Sequence, residues 1–279
     1  MPDTEILRLA AFSDDPGGGN PAGVVIGREL PGAAEMQRIA AEVGYSETAF
    51  LAGDGGSQWT ARYWSPAAEV PFCGHATIAS AVALYERFGT AAVELDTPIG
   101  TVPVTIEQSG GRTLATLTSV EPSVAELAGD DLAELLSHLG WGHLQLDPVL
   151  PPRVAFAGVH HPVIAVRDRA ILASLSYDFT GLRAQMERRE WTTIQIVWRE
   201  SPTVFWARDP FPVGGVVEDP ATGAAAAAFG SYLRELRLVD VPATVTIHQG
   251  DDFGRPSLLT VAIPLTGGIR VSGTAVAIG

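Results

Sequence analysis

Twice along the chain a strand leads through a short loop into an alanine-rich helix, and this repetition constrains the fold more than any other feature. In the first half the loop VPFCGHAT (70–77) opens the helix ATIASAVALYERF (76–88); in the second, VVEDPATG (216–223) opens AAAAAFGSYLREL (224–236). The loop glycines Gly74 and Gly223 stand 149 positions apart in a chain of 279 residues. Helices of Ala, Ser and Gly lack the single apolar stripe of a surface helix and can be packed closely on all sides. Each is therefore expected at the centre of its own domain, surrounded by that domain's strands, and the two helix starts are expected to be equivalent.

Length and composition agree with two domains. At about 150 residues per domain the chain suffices for two. Hydrophobic residues make up 46% and charged residues 18%, a globular composition. The net charge of -14, from 32 acidic and 18 basic residues, argues against nucleic acid, because neutralising phosphates takes Lys and Arg. It argues equally against an anionic lipid surface. The apolar runs fall short of the ~18–20 residues of a membrane helix. The opening MPDTEILRLAAF lacks a basic stretch before an apolar one, so no signal peptide is read and a cytoplasmic protein is expected. A single cysteine, Cys73, excludes an intrachain disulfide and a multi-cysteine zinc site.

Local patterns give an α+β order. Strands are predicted at 4–12 and 22–26, around a turn at 14–20. A helix over 33–43 presents Met36, Ile39, Ala40 and Val43 on one face and is stopped by Gly44. Strands follow at 46–52 and 58–65, then, beyond the first alanine-rich helix, near 92–96, 101–107 and 113–118. Residues 121–130 read as a linker. After it come a helix at 130–139, strands near 153–157 and 162–166, helices at 168–175 and 179–188, and strands at 194–198 and 203–208. Strands at 243–248, 257–263 and 269–277 follow the second alanine-rich helix.

A helix N-terminus presents unpaired N–H groups and about half a positive charge. It can hold a carboxylate or a developing enolate. At these two starts Gly74, Ala76, Gly223 and Ala224 are small enough to admit ligand oxygens to the backbone. Ordinary tight turns would look the same one at a time; the pairing across the halves favours a site. Cys73 and His75 lie beside the first start, Glu218 and Asp219 beside the second. Three of these have a structural reading too: Cys73 as a small buried thiol, His75 as a hydrogen-bonded histidine, and Asp219 as a cap of the helix after Pro220. Glu47, in SETAF, is a carboxylate on an otherwise apolar strand, either exposed at an edge or buried for acid/base chemistry. The His160–His161 pair has no second cluster at metal-ligand spacing and reads as a strand start. No phosphate-binding loop, dinucleotide fingerprint or G-x-S-x-G elbow is present, so neither a cofactor nor a metal is expected.

Taken together, GNPAGVV (19–25), SETAFL (46–51), VPFCGHATIASA (70–81), EDPATGAAAAAFGSYL (218–233) and QGDDFGRPS (249–257) resemble the PhzF-like isomerases of phenazine biosynthesis. The motifs keep the family's order over essentially the whole chain. The resemblance implies the diaminopimelate-epimerase fold: two pseudo-symmetric domains, each a β-sheet wrapped around a central helix, with the active site in the cleft between them. It places one domain at 1–120, joined by the C-terminal strand 269–279, and the other at 121–268. It implies a cofactor-independent isomerase that shifts a proton on a small carboxylate-bearing metabolite. Glu47 matches the catalytic glutamate, His75 and Asp219 the positions flanking the substrate, and Asn20 the substrate-contacting asparagine. A homodimer is compatible with this reading.

Two departures matter. Phenazine-pathway members carry a serine directly after the glycine of DPATG, where this chain has Ala224, so one substrate-contacting hydroxyl is missing. Cys73 resembles the first catalytic cysteine of the epimerases, but the second position is Asp219, against a two-thiol racemase. The competing readings are an amino-acid epimerase using Cys73 with Glu47 or Asp219, and a small-molecule binder without turnover.

Overall fold

The computed structural model describes residues 5–279; Thr4, the expected start of the first strand, lies outside them. The chain divides into two compact units, one running to Thr118 and including Ser272–Gly279, the other Ser119–Val271.

The first unit contains strands β1 (Ile6–Ala11) and β2 (Asn20–Gly27), helix α1 (Ala33–Val43), strands β3 (Glu47–Ala52), β4 (Gln58–Trp64) and β5 (Glu69–Val70), helix α2 (Gly74–Phe88), and strands β6 (Ala92–Thr97), β7 (Gly100–Ser109) and β8 (Arg112–Thr118). β1–β2 pair antiparallel, β2–β3 parallel, β3–β4 antiparallel, β4–β6 parallel and β6–β7 antiparallel. The second unit contains β9 (Ser123–Glu126), α3 (Gly129–His138), β10 (Arg153–Phe156), β11 (His160–Val166), α4 (Arg169–Ala173), α5 (Phe179–Arg189), β12 (Gln195–Ser201), β13 (Val204–Pro210), β14 (Glu218–Asp219), α6 (Gly223–Glu235), β15 (Ala243–Gln249) and β16 (Ser257–Ile263). Here β10–β11 pair antiparallel, β11–β12 parallel, β12–β13 antiparallel, β13–β15 parallel and β15–β16 antiparallel. The same order of senses occurs in both units, with a two-residue strand preceding the alanine-rich helix each time. β17 (Arg270–Gly273) straddles the unit boundary, and β18 (Ala275–Ala277) returns to pair antiparallel with β1.

Each alanine-rich helix is the centre of its unit. α2 packs against β1, β2, β3, β7, β8 and β18, and α6 against β9, β10, β11, β12 and β16. Every residue from His75 to Leu84 and from Ala225 to Leu233 is buried. Small side chains are what lets strands approach the helix axis from several directions. At Gly230 an added Cβ would stand 2.8 Å from Ile269 and 2.9 Å from Val261.

Three expectations need correction. The linker read at 121–130 contains β9, which pairs with β10 from Ser123↔Phe156 to Glu126↔Arg153; only Val124 of this strand is partly buried, so no alternation marks it. The strand read at 269–277 is broken at Thr274 into β17 and β18. α2 begins at Gly74 rather than Ala76, with Cys73 as its N-cap.

Candidate active site

In the first unit the fold gathers four separated residues. β2 and β3 are parallel neighbours with Ala22 opposite Glu47. Asn20 and Glu47, the first residues of these strands, therefore emerge at the same end of the sheet. The start of α2 meets them there. No side chain caps this helix; its first backbone bond runs from Thr77 N–H to the Cys73 carbonyl, at 3.0 Å. The Thr77 hydroxyl donates to the same carbonyl at 2.8 Å and pairs with the Tyr63 hydroxyl at 2.7 Å, which anchors the first turn in the core.

His75 is buried and contacts four groups. Asn20 Nδ2 donates to His75 Nδ1 at 3.1 Å. An amide nitrogen can only donate, so Nδ1 accepts, and in the neutral ring Nε2 carries the proton. Nε2 lies 3.4 Å from Glu47 Oε2 and 3.4 Å from Ser46 Oγ. The Cys73 thiol donates to Glu47 Oε2 at 3.5 Å and lies 3.3 Å from His75 Nδ1. The Glu47 side chain is 14% exposed, so its carboxylate is shielded without being sealed off. Where the linear spacing shows no metal-ligand pattern, the fold brings Glu47, Cys73 and His75 together with donor atoms within 4.8 Å of one another. Carboxylate, thiol and imidazole are a donor set that suits zinc.

In the second unit the start of α6 is built differently. Thr222 is the N-cap residue, and no side chain caps the helix. Asp219 is buried; its Oδ2 accepts the Thr222 hydroxyl at 2.7 Å. Gln249 ties this turn together, donating to the Asp219 carbonyl at 2.8 Å and to the Thr222 hydroxyl at 3.0 Å, while accepting Thr222 N–H at 3.2 Å.

Of the four small residues at the helix starts, Gly74 and Ala224 are partly exposed, whereas Ala76 and Gly223 are buried. The side of each helix start that keeps access to solvent is thus the one carrying Gly74 and Ala224. Gln249 belongs to the QGDDFGRPS motif, but its role in holding Asp219 carries no linear signal. Glu218 turns away into an ion pair with Arg208, with Arg208 Nε at 2.9 Å. His160 opens β11, and His161 after it is buried, 2.9 Å from Thr193 Oγ1.

The model of the family "Phenazine biosynthesis-like protein" (PhzC-PhzF) matches residues 9–279. The isomerase YfhB of Bacillus subtilis is 29% identical, covering 99% of this chain and 97% of its own. The trans-2,3-dihydro-3-hydroxyanthranilate isomerase of Pseudomonas chlororaphis is 31% identical, covering 90% of this chain and 87% of its own. Among solved structures, a PhzF-family protein of Bacillus anthracis superposes with a TM-score of 0.87 at 26% identity, over 99% of this chain and 97% of that one. A hydroxyproline epimerase from Agrobacterium vitis, with a TM-score of 0.68 at 14% identity over 98% of this chain and 90% of that one, shares the fold. With motifs, repeated topology and full-length similarity in agreement, the chain belongs to the phenazine biosynthesis-like (PhzC-PhzF) family and is an isomerase of the epimerase fold.

Proposed function

We propose that this isomerase moves a proton between two positions of a small carboxylate-bearing metabolite, with Glu47 as general acid/base and without a cofactor. The observation that carries this is the seat of the Glu47 carboxylate, at the start of α2 and within 3.5 Å of both His75 Nε2 and the Cys73 thiol. His75 Nε2 and the thiol both approach the same oxygen of Glu47, Oε2, leaving Oε1 to take a proton from carbon. The Gly74 end of α2 is assigned the negative charge that develops when the C–H bond breaks. The pair left on carbon delocalises toward the substrate's unsaturated system, and Glu47 returns the proton at the new position, so atoms and charge balance. Asp219, Gly223 and Ala224 are assigned to substrate binding, and Asn20 to fixing the His75 tautomer. The chain has no lysine, so no imine can form on a side-chain amine.

The Pseudomonas relative is named for trans-2,3-dihydro-3-hydroxyanthranilate, which makes that compound the first test substrate. Ala224, in place of the serine of phenazine-pathway members, points to a different one. A metabolite screen by ligand-induced thermal shift, run on wild type and on Glu47→Gln, identifies the substrate, and the variant is expected to bind it without turnover. Turnover at the wild-type rate by Glu47→Gln removes Glu47 from the mechanism.

A second reading, an epimerase with Cys73 as one of two opposed bases, is favoured by the approach of the thiol to His75 and Glu47. Turnover in deuterated water separates the two. One shuttling carboxyl retains part of the original hydrogen in the product; two bases introduce solvent deuterium from the first turnover.

A further inference from the structure

A second polar cluster, buried in the other unit, has no part in the proton transfer. Asp209 lies on β13 directly opposite Asp219 on β14, and it is 0% exposed. Its Oδ2 accepts the Thr193 hydroxyl at 3.2 Å. Gln195, with its amide nitrogen turned toward Asp209, donates to the two carboxyl oxygens at 2.9 and 3.0 Å. Thr193 Oγ1 lies in turn 2.9 Å from His161 Nδ1. The Thr222 hydroxyl, which holds the Asp219 carboxylate, also faces Asp209.

Among the described residues the cluster has neutral donors but no cation for Asp209. Arg208, its neighbour on β13, is committed to Glu218 and to the carbonyls of Leu172 and Ala173. A fully buried carboxyl set directly opposite another carboxylate, with no cation of its own, favours its protonated form.

We propose that Asp209 is a positioning residue: its carboxyl, held by Thr193 and Gln195, sets the Thr222 hydroxyl and through it the direction of the Asp219 carboxylate. This rests on the assignment of Asp219 to substrate binding. Asp209 does so as a neutral acid. Burial pushes its carboxyl well above the ordinary range, and the neighbouring Asp219 and Glu218 push it the same way. A neutral carboxyl offers one O–H donor as well as acceptors. An ionised one would offer acceptors only and set a second negative charge against Asp219. The titratable and charged groups that face Asp209 are Asp219 and Glu218 from β14, Arg208 from β13 and, through Thr193, His161 from β11.

The test follows the aspartate side-chain carboxyl carbons by NMR against pH, in wild type, Asp209→Asn and Asp209→Ala. Asparagine reproduces the donor and acceptor of a neutral acid; alanine does not. The expected result is an Asp209 signal in the protonated position at neutral pH, an Asp219 signal kept in Asp209→Asn, and one displaced in Asp209→Ala. Because the neutral acid is unfavourable relative to the unfolded chain above the ordinary carboxylate range, Asp209→Asn should also melt at or above wild type at neutral pH, with a margin that grows as pH rises. An ionised Asp209 at neutral pH overturns the proposal, as does an Asp219 signal indifferent to alanine. If Asp209→Ala fails to fold, an Asp219 signal displaced in Asp209→Asn overturns it. Full turnover by Asp219→Asn would instead remove Asp219 from substrate binding and leave the network as found.

Discussion

Two adjacent residues of α6, both replaced by alanine, should move stability in opposite directions. Gly230 lies inside the helix, where glycine costs about 1 kcal/mol relative to alanine. On propensity alone Gly230→Ala would stabilise. The added methyl, however, would stand 2.8 Å from Ile269 Cγ2, 2.9 Å from Val261 Cγ1 and 3.5 Å from Ile263 Cγ1. All three neighbours are buried and β-branched, hence stiff at χ1. Overpacking of this kind costs about 1–3 kcal/mol, and two contacts under 3.0 Å put this site in the upper part of that range. The expected net loss is about 1–2 kcal/mol, or roughly 2–8 °C for a unit of this size. At Ser231 the sign reverses. Its hydroxyl is buried without a hydrogen-bond partner, and an unmet buried polar group costs about 1–3 kcal/mol. Ser231→Ala should therefore gain about 1 kcal/mol. The assay is urea unfolding, with Trp141, Trp191, Trp198 and Trp206 reporting the second unit and Trp59 and Trp64 the first. A Gly230→Ala midpoint at or above wild type would refute the argument that close strand approach, rather than helix propensity, decides which residues fill this helix.

Glu47→Gln should lower turnover by about 10²–10⁴-fold, the usual contribution of a general acid/base, with the unfolding midpoint little changed; steady-state kinetics and a melt on the same sample check both halves. Added Zn²⁺ should inhibit through the Glu47, Cys73 and His75 donors, a chelator should restore activity, and Cys73→Ser should blunt the inhibition; equal sensitivity in that variant would place the zinc elsewhere. Burial lowers the His161 imidazole to about 3, so the unfolded chain takes its proton first. The stability tied to the neutral ring is complete above about 6.5 and declines as pH falls from there toward 3. Urea midpoints against pH should fall less steeply over that window in His161→Gln, and coincident slopes would contradict a buried neutral histidine.

Much of this fold was legible because its elements carry period and punctuation. The helix over 33–43 is found at Ala33–Val43, and Gly44 ends it at φ 72° with its N–H on the Ala40 carbonyl. The alanine-rich helices stood out because so few architectures can use them. What escaped notice was short or held by partners distant in sequence. β5 and β14 have two residues each, too few to show a period. The convergence of Asn20, Glu47 and His75 rests on the parallel pairing of β2 with β3, which brings residues more than twenty positions apart to one sheet end. Asp209 falls just past the strand read at 203–208, and of its partners Thr193 falls just before the strand read at 194–198 while Gln195 looks like an ordinary strand residue. Only three-dimensional pairing sets that carboxyl against Asp219.

The return of Ser272–Gly279 to the first unit reverses the order in which the protein can be finished. β1 gains its β18 partner through Leu9↔Ala277, Ala10↔Val276 and Ala11↔Ala275. Phe12 N–H reaches the Thr274 carbonyl at 2.7 Å, and Ile278 N–H the Arg8 carbonyl at 2.8 Å. The Phe12 ring lies against Gly273, where any Cβ would meet it at 2.2 Å. All these partners are synthesised after the whole of Ser119–Val271. At 5–20 residues per second, β1 therefore waits roughly 8–30 s on the ribosome with one edge open. The unit begun first is completed last, and the newborn chain is most exposed to mispairing with its neighbours during that interval.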